Sequence, residues 1–185
     1  MNFLQKLFGH LKTIIIHRHN VLKHCIKAGI PWQGIIHDLS KFSWTEFVPG
    51  VKFFQGFRSP NEGEREELGY SLAWMHHKGR NRHHYEYWLD YDRITKVSSP
   101  VEMPTKFVVE MFCDRVAACK TYMKGNYSDR SPLEYYSRKR GERVIHPSTR
   151  KLLELLLNML VEKGEEATFA YIRTMDLKNT DIKKQ

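Results

Sequence analysis

The spacing of apolar residues constrains this chain more than any other feature of its sequence. Apolar positions recur at steps of three and four along nearly the whole chain, and no segment alternates convincingly between apolar and polar residues as a half-buried strand does. The pattern predicts helices within these segments: 3–28, 31–42, 45–54, 64–78, 105–125, 131–141, 146–164 and 165–175. The expected fold class is therefore all-α.

Proline and glycine mark where several of these helices begin and end. Pro31 suits a first helical turn, and Gly164 is expected to stop the helix that precedes it. Pro49 is expected to break or kink the helix around it. The chain has no repeat and no domain linker, and 185 residues is the size of one domain. We predict a single domain over residues 1–175 and a basic tail over 176–185.

Composition narrows the possible partners and compartment. No apolar run approaches the length of a membrane span, so no membrane partner is expected. The three cysteines lack CxxC spacing and are expected to be small core residues in a reducing, cytoplasmic compartment. A net charge of +9 indicates an anionic partner, either a phosphorylated small molecule or nucleic acid, unless the charge is only a solvated face.

Four of the ten histidines lie within the stretch WMHHKGRNRHHYEYW, residues 74–88. They form two adjacent pairs, His76–His77 and His83–His84. Clustered imidazoles indicate a metal site, a proton-handling site or a chance arrangement on the surface. A metal site would need partners elsewhere in the chain.

The first helix and the segment after it supply such partners. His37 and Asp38 are adjacent on a predicted short helix, and a carboxylate can bridge two metal ions. His17 and His24 share one face of the first helix with apolar residues, whereas His19 lies on a flanking face. Two histidines on an apolar face are a better source of ligands than one.

A carboxylate on the long helix completes the candidate set. Asp114 shares an apolar face with Phe107, Met111 and Ala118. A buried carboxylate is unfavourable unless it is paired or holds a cation, so a metal or a histidine is its expected partner. The alternative is an aspartate at the edge of the stripe that reaches water.

In chain order, this pattern resembles the HD-domain superfamily of metal-dependent phosphohydrolases. The segment HDLSK resembles the family's His-Asp segment, and CDRVAA resembles its final aspartate segment. More narrowly, HDLSKFSWTEF, AWMHHKGRNRHHYEYW and HPSTRKLLELL resemble an uncharacterised bacterial and phage family over about residues 14–160. The resemblance implies an HD-domain-like helical bundle.

The resemblance also implies a ligand set. The core ligands would be His17, His37, Asp38 and Asp114, with His17 preferred to His19 and His24 because it precedes Val21 by four positions. In members with two metals, intervening histidines hold the second ion, and His77, His83 and His84 fill those places here. His76 is expected to point aside, because neighbouring helix residues diverge by about 100°. One or two divalent ions of manganese, iron, cobalt, nickel or zinc are expected.

The implied activity is hydrolysis of a small phosphoester, most plausibly a nucleotide, by a metal-activated water. Asp38 and Lys41 are the expected catalytic residues. Four basic residues are candidates for binding the phosphate, although each of them is equally well explained as solvated: Lys41, Lys78, Arg80 and Arg82. Glu46, eight residues after Asp38, could support the ligands or orient a water molecule, but it is interpreted as a surface residue.

Two other function classes remain open from the sequence. A minority of HD-fold proteins are diiron oxygenases, and a basic chain can also be a non-catalytic nucleic-acid-binding protein. Anaerobic turnover of a phosphoester would argue against the oxygenase. Steep salt dependence without metal would favour the binding protein. The oligomeric state is left open.

Overall fold

The computed structural model describes residues 1–138 and 143–177, which form eight α-helices, three short 3₁₀ turns and one small sheet. The helices are α1 Phe3–Ala28, α2 Pro31–Ile36, α3 Trp44–Lys52, α4 Pro60–Leu68, α5 Leu72–Lys78, α6 Thr105–Met123, α7 Ser131–Ser137 and α8 Pro147–Ile172. The strands are β1 Leu89–Tyr91 and β2 Ser98–Pro100, paired antiparallel. The prediction of an all-helical single domain is confirmed.

Local sequence explains the bounds of α1. Asn2 and Gln5 form a capping box, in which each side chain accepts a hydrogen bond from the other residue's backbone N–H at 2.9 Å. At the other end, Gly29 has a φ of 81°, a left-handed conformation that ends the helix. The helix therefore spans the predicted segment.

The core lies where α1, α6 and α8 pack together. α6 is buried on most of its surface, and its Phe112 side chain is fully buried. Val21 of α1 and Leu156 of α8 are also fully buried in the same cluster. Leu177 packs partly buried against this core, so the packed chain extends past the expected boundary at residue 175. Residues 178–185 of the predicted tail lie outside the described residues.

The helix predicted over residues 64–78 is wrong in its bounds. Two helices, α4 and α5, occupy this region because Gly69 has a φ of 80° and turns the chain. The Ser71 hydroxyl then accepts a hydrogen bond from the backbone N–H of Trp74 at 2.9 Å and caps α5. The new helix, α5, carries His76 and His77.

Three further differences are local. α3 continues through Pro49 to Lys52, so of the two effects expected there, a break or a kink, the break does not occur. Within α8, Gly164 has φ 78° and ψ 174°, which interrupts the helical conformation where two separate helices were predicted. The two strands have only three residues each, too few to show a period of two in the sequence.

No helix within the described ranges is both long and apolar enough to cross a bilayer.

Candidate metal centre

His37 and Asp38 were expected on a short helix. The structure places them in a turn instead. α2 ends at Ile36, and the 3₁₀ turn that follows starts at Leu39. Asp38 has a φ of 53°, which an aspartate tolerates better than most residues and which prevents the helix from continuing. Arg18 of α1 fixes the turn, since its Nε donates to the His37 carbonyl oxygen at 2.8 Å. The two side chains therefore enter the interior together.

One oxygen of Asp38 faces a first group of ligands. Its Oδ2 lies 3.7 Å from Nε2 of His17 and 3.4 Å from Nε2 of His37. Asp114 of α6 closes this group, with Oδ1 at 3.1 Å from His17 and 3.7 Å from His37. The structure thus brings the four predicted core ligands together from α1, the turn and α6.

The other oxygen of Asp38 faces the second predicted group. Its Oδ1 lies 3.3 Å from Nε2 of His77 and 3.5 Å from Nε2 of His83. His84 offers a nitrogen to the same set, whose ligand atoms all lie within 4.8 Å of one another. Asp38 therefore lies between two groups of imidazoles, and each group is one that could hold a metal ion.

Unpartnered nitrogen atoms indicate that these groups are built for a cation. Within the described chain, the buried Nε2 atoms of His17, His37, His83 and His84 have no hydrogen-bond partner, and neither does Oδ1 of Asp38. Burying a polar atom without a partner is unfavourable. Here the unpartnered atoms converge on the same interior space, so a metal ion would satisfy them together.

A buried glutamate of α6 orients two of the histidines. Oε1 of Glu110 lies 3.0 Å from Nδ1 of His37 and 3.2 Å from Nδ1 of His83. Each Nδ1–H can donate to this oxygen, which leaves each Nε2 directed towards Asp38. Glu110 was not predicted to be a site residue. Its position four residues before Asp114 places it on the same face of α6 and could have revealed it.

A second carboxylate supports the histidines of α5. Glu46 accepts hydrogen bonds from Nδ1 of His76 at 2.6 Å and from Nδ1 of His77 at 2.8 Å. Glu46 is only 5% exposed, so its interpretation as a surface residue is wrong. His76 is turned aside from the Asp38 oxygens, as expected, and it contacts Glu46 instead. The α3 helix is thereby tied to the centre through α5.

The charges within the centre compensate one another. Burial alone would raise the pKa of Asp38, but the positive charges of His37 and Lys41 outweigh it and hold that pKa well below its usual range. For Asp114, burial is likewise outweighed, by its close contacts with the imidazoles of His17 and His37, and the pKa is lowered. Lys41 Nζ lies 2.7 Å from Oδ2 of Asp38. Both carboxylates are therefore ionised and available to a cation.

Two histidines considered as first ligands lie elsewhere. His19 is exposed on the outer side of α1. His24 is buried, but its Nδ1 donates to the carbonyl oxygen of Asn20 at 2.6 Å and its ring stacks on Phe169. Only His17 among the three contributes to the clusters of potential ligands found in the described chain.

The four predicted phosphate-binding residues differ in their exposure and in their contact with the centre. Lys41 is inside the centre, with a side chain that is 31% exposed. Lys78 is half-buried, and Arg80 and Arg82 are exposed in the turn between His77 and His83. The Arg82 guanidinium lies over the Tyr87 ring at 5.8 Å. Of the four, Lys41 alone pairs with a carboxylate of the centre among the residues described.

The donor set determines which ions the centre can hold. Imidazole nitrogens with a shared carboxylate suit divalent transition metals, whereas calcium and magnesium prefer oxygen ligands alone. The arrangement of two ligand groups about one carboxylate resembles sites in which two metals act on one substrate. The buried histidine, aspartate and glutamate clusters could therefore hold one or two such ions.

Comparison with known proteins identifies the family but no activity. No curated protein and no solved structure matches the chain. A family model described as a family of unknown function matches residues 6–159, a span that contains every proposed ligand. The chain therefore belongs to this family of unknown function, DUF5662.

Proposed function

We propose that this protein is a metal-dependent phosphohydrolase of the HD type that acts on a small phosphoester, most plausibly a nucleotide. The observation that carries the proposal is the position of Asp38, whose two oxygens each face a separate group of buried imidazoles. The matched family has no assigned activity, so the proposal rests on these residues and their geometry. The type of reaction is inferred from the resemblance to the HD-domain superfamily.

Seven side chains of the chain would hold the metal ions. Asp38 would bridge the two ligand groups. His17, His37 and Asp114 would complete one group, and three histidines would complete the other: His77, His83 and His84. Two divalent ions held there would lower the pKa of a water molecule and offset the charge that develops on the phosphoryl group.

Lys41 is the cation best placed to meet the substrate. Its side chain is partly exposed and its ammonium group contacts Oδ2 of Asp38 at 2.7 Å. Burial would lower the pKa of Lys41, but the charges of Asp38 and Asp114 outweigh it and raise that pKa, so the ammonium stays protonated. A phosphate that enters from solvent would therefore meet a positive charge beside the metal ligands.

The basic residues that lie close to the ligands along the chain support a substrate with few phosphates. Lys78, Arg80 and Arg82 lie on the short connection between His77 and His83, close in the chain to the centre. Duplex binding requires contacts with many phosphates along an extended surface. One or two phosphates need only a local set of cations, which favours the small substrate.

The proposal is tested with purified full-length protein. Elemental analysis should find close to one or two transition-metal ions per chain, and nucleoside monophosphates, cyclic nucleotides and short oligonucleotides should then be assayed over a salt series. We expect anaerobic hydrolysis of a nucleotide with a shallow salt dependence. Turnover that requires oxygen would instead indicate the diiron oxygenase. A metal-free protein with steeply salt-dependent duplex binding would indicate the nucleic-acid-binding protein.

A further inference from the structure

The surface formed by the start of the chain combines exposed apolar side chains with basic side chains, of which Lys27 is paired with Glu165 of α8. The first 45 residues contain six lysine and arginine residues and one acidic residue, Asp38. Asp38 is 1% exposed, so the formal charges that this part of the chain presents to solvent are positive. We name the exposed side of α1, together with the exposed residues of segment 32–44, the basic–apolar face.

An exposed apolar stripe runs along α1. Leu4, Phe8, Ile15 and Ile26 fall within an arc of about 40° on a helix with 3.6 residues per turn. All four are exposed, Phe8 by 63%. The buried side of α1, which includes His17, points the opposite way. The helix is therefore apolar on two sides, and only one of them faces the core.

Lysines border this stripe on one side. Lys12 and Lys23 are exposed and lie roughly 40 to 60° further round α1 than Phe8 and Ile26. The sequence of α1 contains no aspartate or glutamate. A helix with an apolar stripe beside lysines has the pattern of helices that lie on membrane surfaces.

The segment after α1 extends the same face. Gly34 packs closely on Leu22, which holds α2 against α1. Ile15 and Ile35 consequently line one shallow groove between the two helices. Trp32 is 66% exposed, and further along the segment Trp44 is 83% exposed. Large apolar groups are thus also exposed in the segment that follows α1.

We propose that the basic–apolar face binds the surface of a membrane that contains anionic lipid. The apolar stripe would enter the boundary between head groups and acyl chains, where tryptophan is also preferred. Lys12 and Lys23 would meet the anionic head groups. The proposal differs from the expectation of no membrane partner, which rested on the lack of a spanning segment, and it does not depend on the proposed catalytic function.

Two other partners fit these observations less well. A second copy of the chain packed through the stripe would bring the lysines of both copies together, with no acidic residue of α1 to offset them. A nucleic acid would attract the lysines, but its phosphates would not cover Phe8 and Ile26. An anionic lipid surface matches both the charge and the apolar exposure.

The experiment measures cosedimentation of the full-length protein with vesicles. One set consists of equal parts phosphatidylcholine and phosphatidylserine, and the other consists of phosphatidylcholine alone. We expect binding to the mixed vesicles and little to the neutral ones. Lys12→Gln with Lys23→Gln should lower partitioning into mixed vesicles by roughly 25-fold, since each lysine near such a surface contributes about fivefold. Ile15→Ser with Ile26→Ser should lower it on the order of tenfold or more.

Matched control variants carry the same changes elsewhere on the surface. Arg93→Gln with Lys151→Gln removes two exposed charges, and Ile94→Ser with Val97→Ser removes two exposed apolar side chains. Both controls should bind mixed vesicles as the wild type does, and circular dichroism should show that all variants are folded. The proposal is overturned by an absence of binding to mixed vesicles, or by equal losses in the controls. Dimerisation or oligonucleotide binding that the α1 variants abolish, without vesicle binding, would also overturn it.

Discussion

Nδ1 of His37 and Oε1 of Glu110 lie 3.0 Å apart, although 73 positions separate the two residues in the chain. The contact ties the His-Asp turn to α6. It also determines which nitrogen of His37 can bind a metal, because a proton on Nδ1 that is donated to Glu110 leaves Nε2 as the nitrogen directed towards Asp38. Glu110 makes a similar contact with His83, so one carboxylate orients ligands of both groups.

Replacing Glu110 should therefore weaken both groups at once. Glu110→Gln keeps the size of the side chain but removes the negative charge that holds His37 and His83 in position. We expect metal affinity to fall about 10- to 100-fold, as is typical when a carboxylate behind a histidine ligand is lost. A calorimetric titration of each variant with the metal measures the change in affinity. Glu102→Gln, the same change at an exposed position, is the control; equal affinities in the two variants would contradict the assignment.

Asp38 should be indispensable to metal binding. Its two oxygens face the two groups of imidazoles, so Asp38→Ala should strip metal from the purified protein and abolish activity. Elemental analysis of this variant and of Asp90→Ala, which removes an exposed carboxylate, separates the effect from general damage. Full metal content in Asp38→Ala would exclude Asp38 as a ligand.

The second ligand group should be separable from the first. His83→Ala with His84→Ala removes two of its imidazoles and leaves His17, His37 and Asp114 in place. We expect the metal content to fall from two ions per chain to one, without unfolding. His19→Ala, at an exposed position, should retain both ions. If the wild type binds one ion and the double variant still does, these histidines have another role.

Metal uptake should weaken as the pH falls. Burial by itself lowers the pKa of His37, but the charge of Asp38 and the contacts with Asp114 and Glu110 outweigh it and raise that pKa well above 6.5. In the metal-free centre His37 is therefore protonated on both ring nitrogens at neutral pH, and the stability that this charge contributes is lost as the pH rises through the raised pKa. A cation on Nε2 must displace the proton there, so the apparent affinity should rise with pH.

Calorimetric titrations in buffers of different ionisation enthalpy measure this proton release directly. We expect release of protons on metal binding near neutral pH, and a smaller apparent affinity below it. An affinity that does not change with pH, with no proton released, would show that His37 is neutral in the metal-free protein or is not a ligand.

A close approach between α1 and α3 should be sensitive to a single methyl group. A Cβ at Gly50 would lie 2.2 Å from Nε2 of the buried His10 side chain. Gly50→Ala should therefore destabilise the fold by about 1–3 kcal/mol through overpacking, measured by urea denaturation. His10→Ala with Gly50→Ala should recover part of this loss, because the clash needs both side chains. Gly125→Ala, where a Cβ would meet nothing within 4 Å, is the control.

The sequence by itself determined the helices whose signals are local. The spacing of apolar residues predicted α1, and Gly164 marked the interruption within α8. Periodicity also placed His17 and Asp114 on inward faces, because the direction of a side chain on a helix follows from its position alone. These predictions needed no knowledge of how the helices pack.

The tertiary structure decided what depends on residues far apart in the chain. Glu46 looked like a surface residue until α5 packed against α3 and buried it beside His77. Three histidines of α1 were candidate first ligands, and only the packing of α1 against α6 places His17 beside Asp114. A metal centre is a set of atoms that converge in space, and spacing along a helix fixes only the direction from which each atom approaches. Packing fixes the point at which they meet.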